Sequence, residues 1–376
     1  MTSYSIKGSP PVRNRIIPII QSFLELNVEV ELLCNDKSIS IEDYIDCKKS
    51  NAFTQRMATP IARVTRNFIV RALVEIILSF KLLFLAKKSN ADIIFITIPS
   101  MFLVLPLIFM TNRSMTVVDI RDLTWEYLSE SSFFSSFVKK LIRKIVVAGL
   151  KRADLFTITN KKELDYIAEI VPNSVKYHLT NGVSLARYKD LVMLESEAVK
   201  MDMKITYIGT VGIAQNLITF IKAAELRPMI SFQVVGDGIE LDRLNKYCRL
   251  NEVHNVQFYG SLDWSEILDM YKATDILYAN ISANYASAVP SKIFEYVSSG
   301  VAVIFGSTGV SRDILSKFYG VTMIDPDNVE QLVRALDNMQ QPTAEQVVHN
   351  RKLIESKFIR DKVAKEVVSK IIAMHN

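Results

Sequence analysis

The sequence predicts an α/β protein made of two parallel sheets, each wrapped by helices on both faces, and three observations carry that expectation. Short apolar runs at 92–97, 115–120, 155–159, 230–235, 256–259, 275–279 and 301–305 alternate with stretches of helical pattern, the rhythm of strands joined by crossover helices. Run 301–305, V-A-V-I-F, is unbroken by any polar residue, as expected of a strand covered on both sides. A polar stretch at 189–202 reads as a linker between the two halves.

The chain has 376 residues, 49% of them hydrophobic, enough for two or three packed cores. Cys34, Cys47 and Cys248 lack paired or metal-like spacing, and the opening M-T-S-Y-S-I-K-G lacks the apolar run of a signal peptide. A reduced, cytosolic compartment is therefore expected. Residues 1–200 hold 27 Lys and Arg against 20 Asp and Glu, while 201–376 hold 18 against 20, so the basic surface belongs to the first half. The net charge of +5 would suit nucleic acid, but the basic runs are interleaved with aliphatics rather than stacking aromatics, which argues against that partner. His178, His254, His349 and His375 have no second ligand or nucleophile at a useful spacing, which argues against zinc and triad hydrolysis.

Taking the chain in order, K-G-S-P-P-V-R-N-R at 7–15 precedes an apolar helix at 16–26, bent at Pro18, and a strand at 28–33. Gly8, Arg13 and Arg15 then lie in a first loop, either a ligand loop or a plain surface turn with solvated arginines. Residues 35–60 are polar and irregular, expected as substrate loop or disorder. The mean hydropathy of +0.18 raises the question of a membrane span at 67–86. Arg71, Glu75 and Lys81 interrupt it, each costing about 2.5 to 3.5 kcal/mol at a bilayer centre, so a mostly buried helix is expected instead. Strand 115–120 runs into V-V-D-I-R-D-L-T-W-E, which puts Asp119, Arg121, Asp122 and Glu126 where a parallel sheet's carboxyl edge meets a crevice. They are ligand-site candidates or loop-capping residues. Residues 131–152 hold six Lys and Arg and no acid. Phe134, Phe137, Val138, Leu141, Ile145 and Val146 recur there at helical spacing, with Lys139, Lys140, Arg143 and Lys144 between them. A helix with one apolar face on the core and a basic rim towards an anionic membrane surface is expected.

H-L-T-N-G-V-S-L-A-R-Y at 178–188 turns at Asn181 and Gly182. The second domain starts at Lys204 with I-T-Y-I-G-T-V-G-I-A-Q-N-L, a strand, a glycine loop and a helix start. Gly209 and Gly212 permit close backbone approach to a phosphate, and Gln215 shares their loop. G-D-G at 236–238 follows the next strand, with Asp237 read as a turn residue, and Gly260 closes the strand after that. D-P-D at 325–327 reads as a helix-start signal rather than a metal site.

The most informative stretch is S-A-V-P-S-K-I-F-E-Y-V-S-S-G-V-A-V-I-F-G at 287–306. Pro290 suits a helix start and Gly300 its stop. Ser291, Lys292, Glu295 and Ser299 recur at spacings of three and four, on neighbouring parts of one face. A helix N-terminus carrying Lys292 is a candidate anion site. The competing reading is an ordinary surface pair of Lys292 with Glu295.

P-S-K-I-F-E-Y-V-S-S-G-V-A-V-I resembles the donor-binding helix of family 4 glycosyltransferases. Many members carry two glutamates separated by seven residues, then a small-residue helix end and an apolar strand. Glu295 matches the second glutamate, and Ser287 stands in place of the first. Y-I-G-T-V-G resembles the family's glycine loop, although 213–216 lack the cations many members place there, which leaves Lys292 as their substitute. F-Y-G-S at 258–261 resembles the loop lining the nucleotide base, D-I-R-D-L-T-W-E a segment of some polysaccharide-assembly members, and T-N-G-V-S the end of the N-terminal domain. The resemblance is firm over 203–335, thinner over 90–190 and poor before 60.

The resemblance implies the GT-B fold, two Rossmann-like domains facing across a cleft: an acceptor-binding domain at 1–190, a nucleotide-sugar-binding domain at 203–350, and a terminal helix at 351–376 crossing back onto the first. It implies retaining, metal-independent transfer of a sugar from a nucleotide sugar, UDP-linked rather than GDP-linked, to a lipid-linked oligosaccharide. The protein would lie peripherally on the cytoplasmic face of the cell membrane and act in O-antigen or capsule assembly. Two segments, P-S-K-I-F-E-Y and G-T-V-G-I-A-Q, most resemble transferases of N-acetylated 6-deoxy sugars such as N-acetylfucosamine. The implied site comprises Glu295, Lys292 and Asp122 in catalysis. Gly209, Gly212, Gln215, Gly236, Tyr259, Gly260, Ser287 and Ser291 join Lys292 and Glu295 on the donor, with Gly8, Arg13 and Arg121 on the acceptor side. No metal and no further cofactor are implied. Ser287 leaves one alternative open, a nucleotide-sugar-binding subunit without its own turnover.

Overall fold

The computed structural model describes residues 1–2, 10–35, 52–57, 68–98, 101–109, 114–126, 128, 132–194, 203–285 and 288–375. Gly8, Ser287 and most of 35–60 lie outside them, as do the side chains of Arg71 and Phe134. The chain divides into two compact units, Met1–Thr180 with Asp361–Asn376, and Asn181–Arg360. The boundary thus falls at 180, ahead of the polar stretch expected to form it.

Unit 1 starts with α1 (Pro10–Glu25), β1 (Val30–Cys34), β2 (Phe53–Met57), α2 (Phe68–Lys88) and β3 (Ile93–Ile98). A 3₁₀ helix (Met101–Phe109) follows, then β4 (Met115–Ile120), α3 (Phe133–Leu150), β5 (Leu155–Ile158), α4 (Lys161–Ile170) and β6 (Val175–His178). Strands β3 to β6 pair in chain order, all parallel. One face of that sheet is covered by α2, the 3₁₀ helix and α3 through Leu78, Leu82, Leu103 and Val146. The other is covered by α1 and the chain's last helix through Ile19, Phe23, Val367 and Ile371.

Several expectations are corrected here. Helix α1 begins at Pro10 rather than 16 and keeps Pro18 inside, the Pro18 carbonyl accepting the Ser22 hydroxyl at 2.6 Å. A proline in a first turn forfeits no helix hydrogen bond, which permits the early start. Arg15 is therefore a buried helix residue, not a solvated loop arginine. Strand β2 lies in the stretch read as irregular and pairs in parallel with β1 from Val30↔Phe53 to Cys34↔Met57. Its F-T-Q-R-M is too polar to announce itself, and its partner lies in another part of the chain. Helix α2 is buried on one side only, leaving Leu73 56%, Ile77 51% and Phe84 59% exposed. A segment apolar all round carries no periodicity to say which face the core takes. In α3 the core stripe is Ile142, Val146 and Leu150, while Phe137, Leu141 and Ile145 face outward.

Unit 2 opens with α5 (Leu185–Val192), β7 (Lys204–Ile208), α6 (Ile218–Leu226), β8 (Ser231–Val235), α7 (Leu241–Leu250), β9 (Val256–Gly260), α8 (Trp264–Ala273) and β10 (Ile276–Asn280). After a 3₁₀ turn (Ala283–Tyr285) come α9 (Lys292–Ser299), β11 (Ala302–Gly306), α10 (Val310–Leu315), β12 (Val321–Ile324), α11 (Val329–Asp337) and α12 (Ala344–Lys357). The six strands are parallel in the order β12-β11-β10-β7-β8-β9. Strand order therefore reverses between β7 and β10, and such a switch point opens a crevice at the strands' carboxyl ends. The expected terminal helix is two helices, α12 and α13 (Arg360–His375), separated at Phe358 and Ile359.

Candidate functional site

The crevice of unit 2 is built from backbone. After β7, Gly209 donates its N–H to Val235 O at 2.8 Å, and the turn 212–215 closes through Gln215 N–H to Gly212 O at 3.2 Å. Gly236 adopts φ +128, and a Cβ there would stand 1.8 Å from Gly209 O. Only glycine fits where the loops after β7 and β8 touch. Gly236 N–H donates to Gly260 O at 2.7 Å, bringing in the end of β9. From β10, Asn280 donates to Gln215 O at 3.0 Å and to Asp327 Oδ1 at 2.8 Å, while the Ser282 hydroxyl donates to Asp327 Oδ2 at 2.8 Å. Asp327 itself sits at φ +62, and the helix cap belongs to its neighbour Asn328. It braces the glycine loop instead of starting a helix.

Helix α9 is fixed to that edge by one side chain. Tyr296 Oη accepts the Ile208 N–H at 2.8 Å and donates to Ile208 O at 2.9 Å, at the last residue of β7. Gly300 ends the helix at φ +86, the left-handed stop its sequence signalled. The helix begins at Lys292, with Ser291 at the cap position making no side-chain cap bond. Residues Ile293 to Ser299 are all buried, so the reading of Lys292 and Glu295 as an exposed surface pair does not hold.

Glu295 is 4% exposed, and its Oε1 accepts from Arg187 Nη1 of α5 at 2.8 Å. Its Oε2 is buried with no hydrogen-bond partner. Lys292 forms no hydrogen bond or ion pair among the described residues, and burial lowers its pKa, with Glu295 pulling it back up and Arg187 pushing it further down. The cluster therefore holds two cations, one carboxylate and a free carboxylate oxygen. That combination suits an anionic ligand that also carries hydroxyl donors.

Arg187 escaped the sequence reading, although it lies in the quoted L-A-R-Y run. Its guanidinium also stacks over Trp264, 4.4 Å from the ring centroid, and Trp264 Nε1 donates to Asp190 Oδ2 at 2.7 Å. Periodicity does not mark an arginine whose partner lies on another helix. Tyr259 is 40% exposed on β9, its hydroxyl donating to Gln257 Oε1 at 2.7 Å.

Unit 1 has a second polar crest, at the ends of β4 and β5. Asp119 is fully buried and saturated, accepting from Arg15 Nη2 at 2.6 Å, Arg15 Nε at 3.2 Å, Thr97 at 2.9 Å and Thr157 at 2.7 Å. Burial pushes its pKa up, but Arg15, the Thr157 hydroxyl and Arg121 together outweigh it, so the pKa is lowered. Asp119 is thus structural. Burial raises Asp122 to about 6, Arg121 opposing, and Glu163 to about 7, Thr159 opposing and Asp122 adding. Glu163 Oε2 accepts the Thr159 N–H and hydroxyl, each at 2.7 Å, whereas Oε1 is buried without a partner. Glu163 was not singled out in the sequence; its signal is only the N-K-K-E start of a helix after a strand, with Asn160 as the cap. Glu126 pairs with Arg143 at 3.0 Å, and its carbonyl accepts from Lys139 at 2.8 Å. Arg121 joins this crest, partly buried, whereas Arg13 lies on α1. Among the described residues, no three His, Cys, Asp or Glu side chains gather to hold a metal ion, and no helix is long and apolar enough to cross a membrane.

Residues 189–350 match the family described as Glycosyl transferases group 1. No curated protein matches the chain. Among solved structures, sucrose-phosphate synthase from Thermosynechococcus elongatus is similar at TM-score 0.70 and 14% identity, over 99% of this chain and 94% of that one. HepE from Anabaena, in complex with UDP and glucose, is similar at TM-score 0.67 and 13% identity, over 98% of both chains. WaaG, a glycosyltransferase involved in lipopolysaccharide biosynthesis, is similar at TM-score 0.67 and 12% identity, over 98% of this chain and 97% of that one. With two parallel-sheet units and a group 1 domain in the second, the chain is a glycosyltransferase of the GT-B fold.

Proposed function

We propose that the protein moves a sugar from a nucleotide-sugar donor, UDP-linked, to a lipid-linked glycan acceptor in cell-surface polysaccharide assembly. The observation that carries the reading is the half-satisfied Glu295 beside the unpaired Lys292, both tied by Tyr296 to the glycine-loop edge. Glu295 Oε2 accepts from the nucleotide ribose, and Lys292 with the α9 N-terminus and the loop amide of Gly212 holds the diphosphate, while Gly209, its own N–H engaged by Val235 O, permits the close approach of the backbone. Gln215, Gly236, Tyr259, Gly260 and Ser291 complete the donor side. In the sequence Ser287 replaces the first glutamate of the resembling motif; a serine is shorter than a glutamate and uncharged, so an N-acetylamino sugar is the donor we assign. Fixed positive charge makes a metal unnecessary. The C1–O bond to the diphosphate breaks with its electron pair leaving on phosphate. The acceptor oxygen then bonds C1 on the same face and gives its proton to the leaving phosphate, so configuration is retained. Asp122, Arg121 and Arg13 are the acceptor-side residues in this reading.

The acceptor's lipid is met at the inner face of the cell membrane. Supporting this, α3 exposes Phe133, Phe137, Leu141 and Ile145 beside Lys140 and Lys144, and α2 exposes Val70, Leu73, Ile77, Phe80 and Phe84 beside Lys81, Lys87 and Lys88. Apolar rows edged only by cations complement anionic lipid. The test is a panel of UDP- and GDP-linked sugars, followed by thermal shift, donor hydrolysis and transfer to a lipid-linked acceptor. Stabilisation and turnover with a UDP-linked acetamido sugar are expected. Transfer from plain hexose donors alone would refute the sugar assignment, and stabilisation without any hydrolysis would favour a binding subunit.

A further inference from the structure

Among the described residues, five that are not glycine adopt left-handed backbone: Asn27, Asn90, Asn216, Glu252 and Asp327. Asn27, Asn90 and Glu252 each follow a helix, α1, α2 and α7, where a left-handed residue is an ordinary way to stop. Asn216 and Asp327 instead precede helices, α6 and α11. No helix stop explains either of them, and glycine would hold both places without the steric cost of a Cβ.

The two residues belong to one network. Asp327 N–H donates to Asn280 Oδ1 at 3.2 Å, and Asn280 Nδ2 returns a bond to Asp327 Oδ1 at 2.8 Å. The same Nδ2 donates at 3.0 Å to Gln215 O, the carbonyl of the peptide that enters Asn216. Beside it, Ser282 N–H donates to Ala214 O at 2.8 Å, while the Ser282 hydroxyl donates to Asp327 Oδ2 at 2.8 Å. Asn280 is buried against the last residue of β11, where a Cβ on Gly306 would stand 2.2 Å from Asn280 Oδ1. The Asp327 carboxylate thus fixes two groups at the end of β10, and these fix two successive carbonyls of the turn that leaves β7. A trans peptide points its C=O and its N–H in opposite directions. With the Gln215 carbonyl drawn towards Asn280, the Asn216 N–H is turned away from it. The N–H groups of Gly212, Ile213, Ala214 and Asn216 have no acceptor among the described residues, and unspent amides in a turn are what a backbone offers an anion.

Given the donor site proposed above, on which this inference rests, we propose that Asp327 is a positioning residue for transfer: its carboxylate, acting through Asn280 and Ser282, holds the 213–216 turn in the shape that meets the donor diphosphate. Asp327 itself touches no substrate in this role. The role also accounts for the backbone. If residue 327 only turned the chain into α11, glycine would serve better; an aspartate bears the strain because its two oxygens make bonds that glycine lacks. Asn216 bears its own at the other end of the same network, where the Gln215 carbonyl is held.

The test compares Asp327→Gly with Asp327→Asn, with UDP as the probe. Glycine relaxes the backbone and deletes the side chain. Asparagine keeps Oδ1 for Asn280 and meets the Ser282 hydroxyl with a donor, which a hydroxyl can accept. Asp327→Gly is expected to fold and yet bind UDP about tenfold more weakly than the parent, and UDP is expected no longer to slow amide exchange across 212–216. Asp327→Asn is expected to bind within about threefold of the parent and to keep that protection. Equal UDP affinity in parent and glycine variant would overturn the proposal. So would a glycine variant that fails to fold, since that assigns Asp327 to the fold alone. Lys292→Met separates this failure from failure of the donor site. If neither Lys292→Met nor Asp327→Gly weakens UDP, the donor lies elsewhere and both readings fall; if Lys292→Met alone weakens it, the site stands and only the role of Asp327 falls.

Discussion

Each unit carries a buried carboxylate facing an arginine near the carboxyl edge of its sheet, and the two pairs are built to different ends. Asp119 meets Arg15 in two hydrogen bonds and takes two more from Thr97 and Thr157. Glu295 meets Arg187 in a single bond and keeps its other oxygen buried and unpartnered. A buried polar atom without a partner costs free energy, so a fold that retains one gains by it elsewhere. Saturation marks the pair that holds the fold, and the open oxygen of Glu295 is the feature on which the proposed donor site rests.

Removing the cation from the saturated pair tests this most severely. Arg15→Met leaves Asp119 charged and alone, a situation that costs about 3 to 5 kcal/mol, and denaturant unfolding should register that loss with donor binding to unit 2 preserved. A small loss would show that Asp119 is not the keystone described. The pH dependence comes next. Glu163 has its pKa raised from 4.5 to about 7, so the unfolded chain ionises first as pH rises. Stability is full below pH 4.5 and declines until about pH 7, by on the order of 3 kcal/mol for a shift of this size. Glu163→Gln should flatten that decline in unfolding curves across the window, and a decline that persists unaltered assigns it to another group.

The open pair should respond in affinity rather than stability. Glu295→Gln and Lys292→Met are each expected to weaken donor binding by about 1.5 to 3 kcal/mol, read by calorimetric titration, with little change in the unfolding midpoint. If both variants bind the donor normally, the ligand lies elsewhere. The same contrast between engaged and open groups recurs at smaller scale on α3. Lys139 and Arg143 are engaged by Glu126, whereas Lys140 and Lys144 have no partner among the described residues. Each open lysine should contribute roughly 1 kcal/mol to binding anionic vesicles, so Gln at 140 and 144 should release more protein in pelleting assays than Gln at 139 and 143. Equal release would erase the distinction.

Much of this was legible in the sequence for a physical reason. Strands buried on both faces are written as apolar runs, and helix stops such as Gly300 are written as single residues, so most of unit 2 and the place of Lys292 and Glu295 could be read directly. What resisted reading was long-range pairing. Arg187 reaches Glu295 across 108 positions, Arg15 reaches Asp119 across 104, and β2 depends on a ladder with β1 that its own five residues do not advertise. Helix α2 failed differently: apolar on every side, it offered no period from which to tell its core face from its open one.

The contact between Gly236 and the Gly209 carbonyl has a consequence for redesign. Because no side chain fits at 236, the loops after β7 and β8 are locked against each other, and substitutions at that glycine are expected to unfold the chain. Variation aimed at the proposed donor sugar belongs at 281–285 and 288–291, beyond the two touching glycines. They are the places to randomise, and the glycines are the places to leave alone.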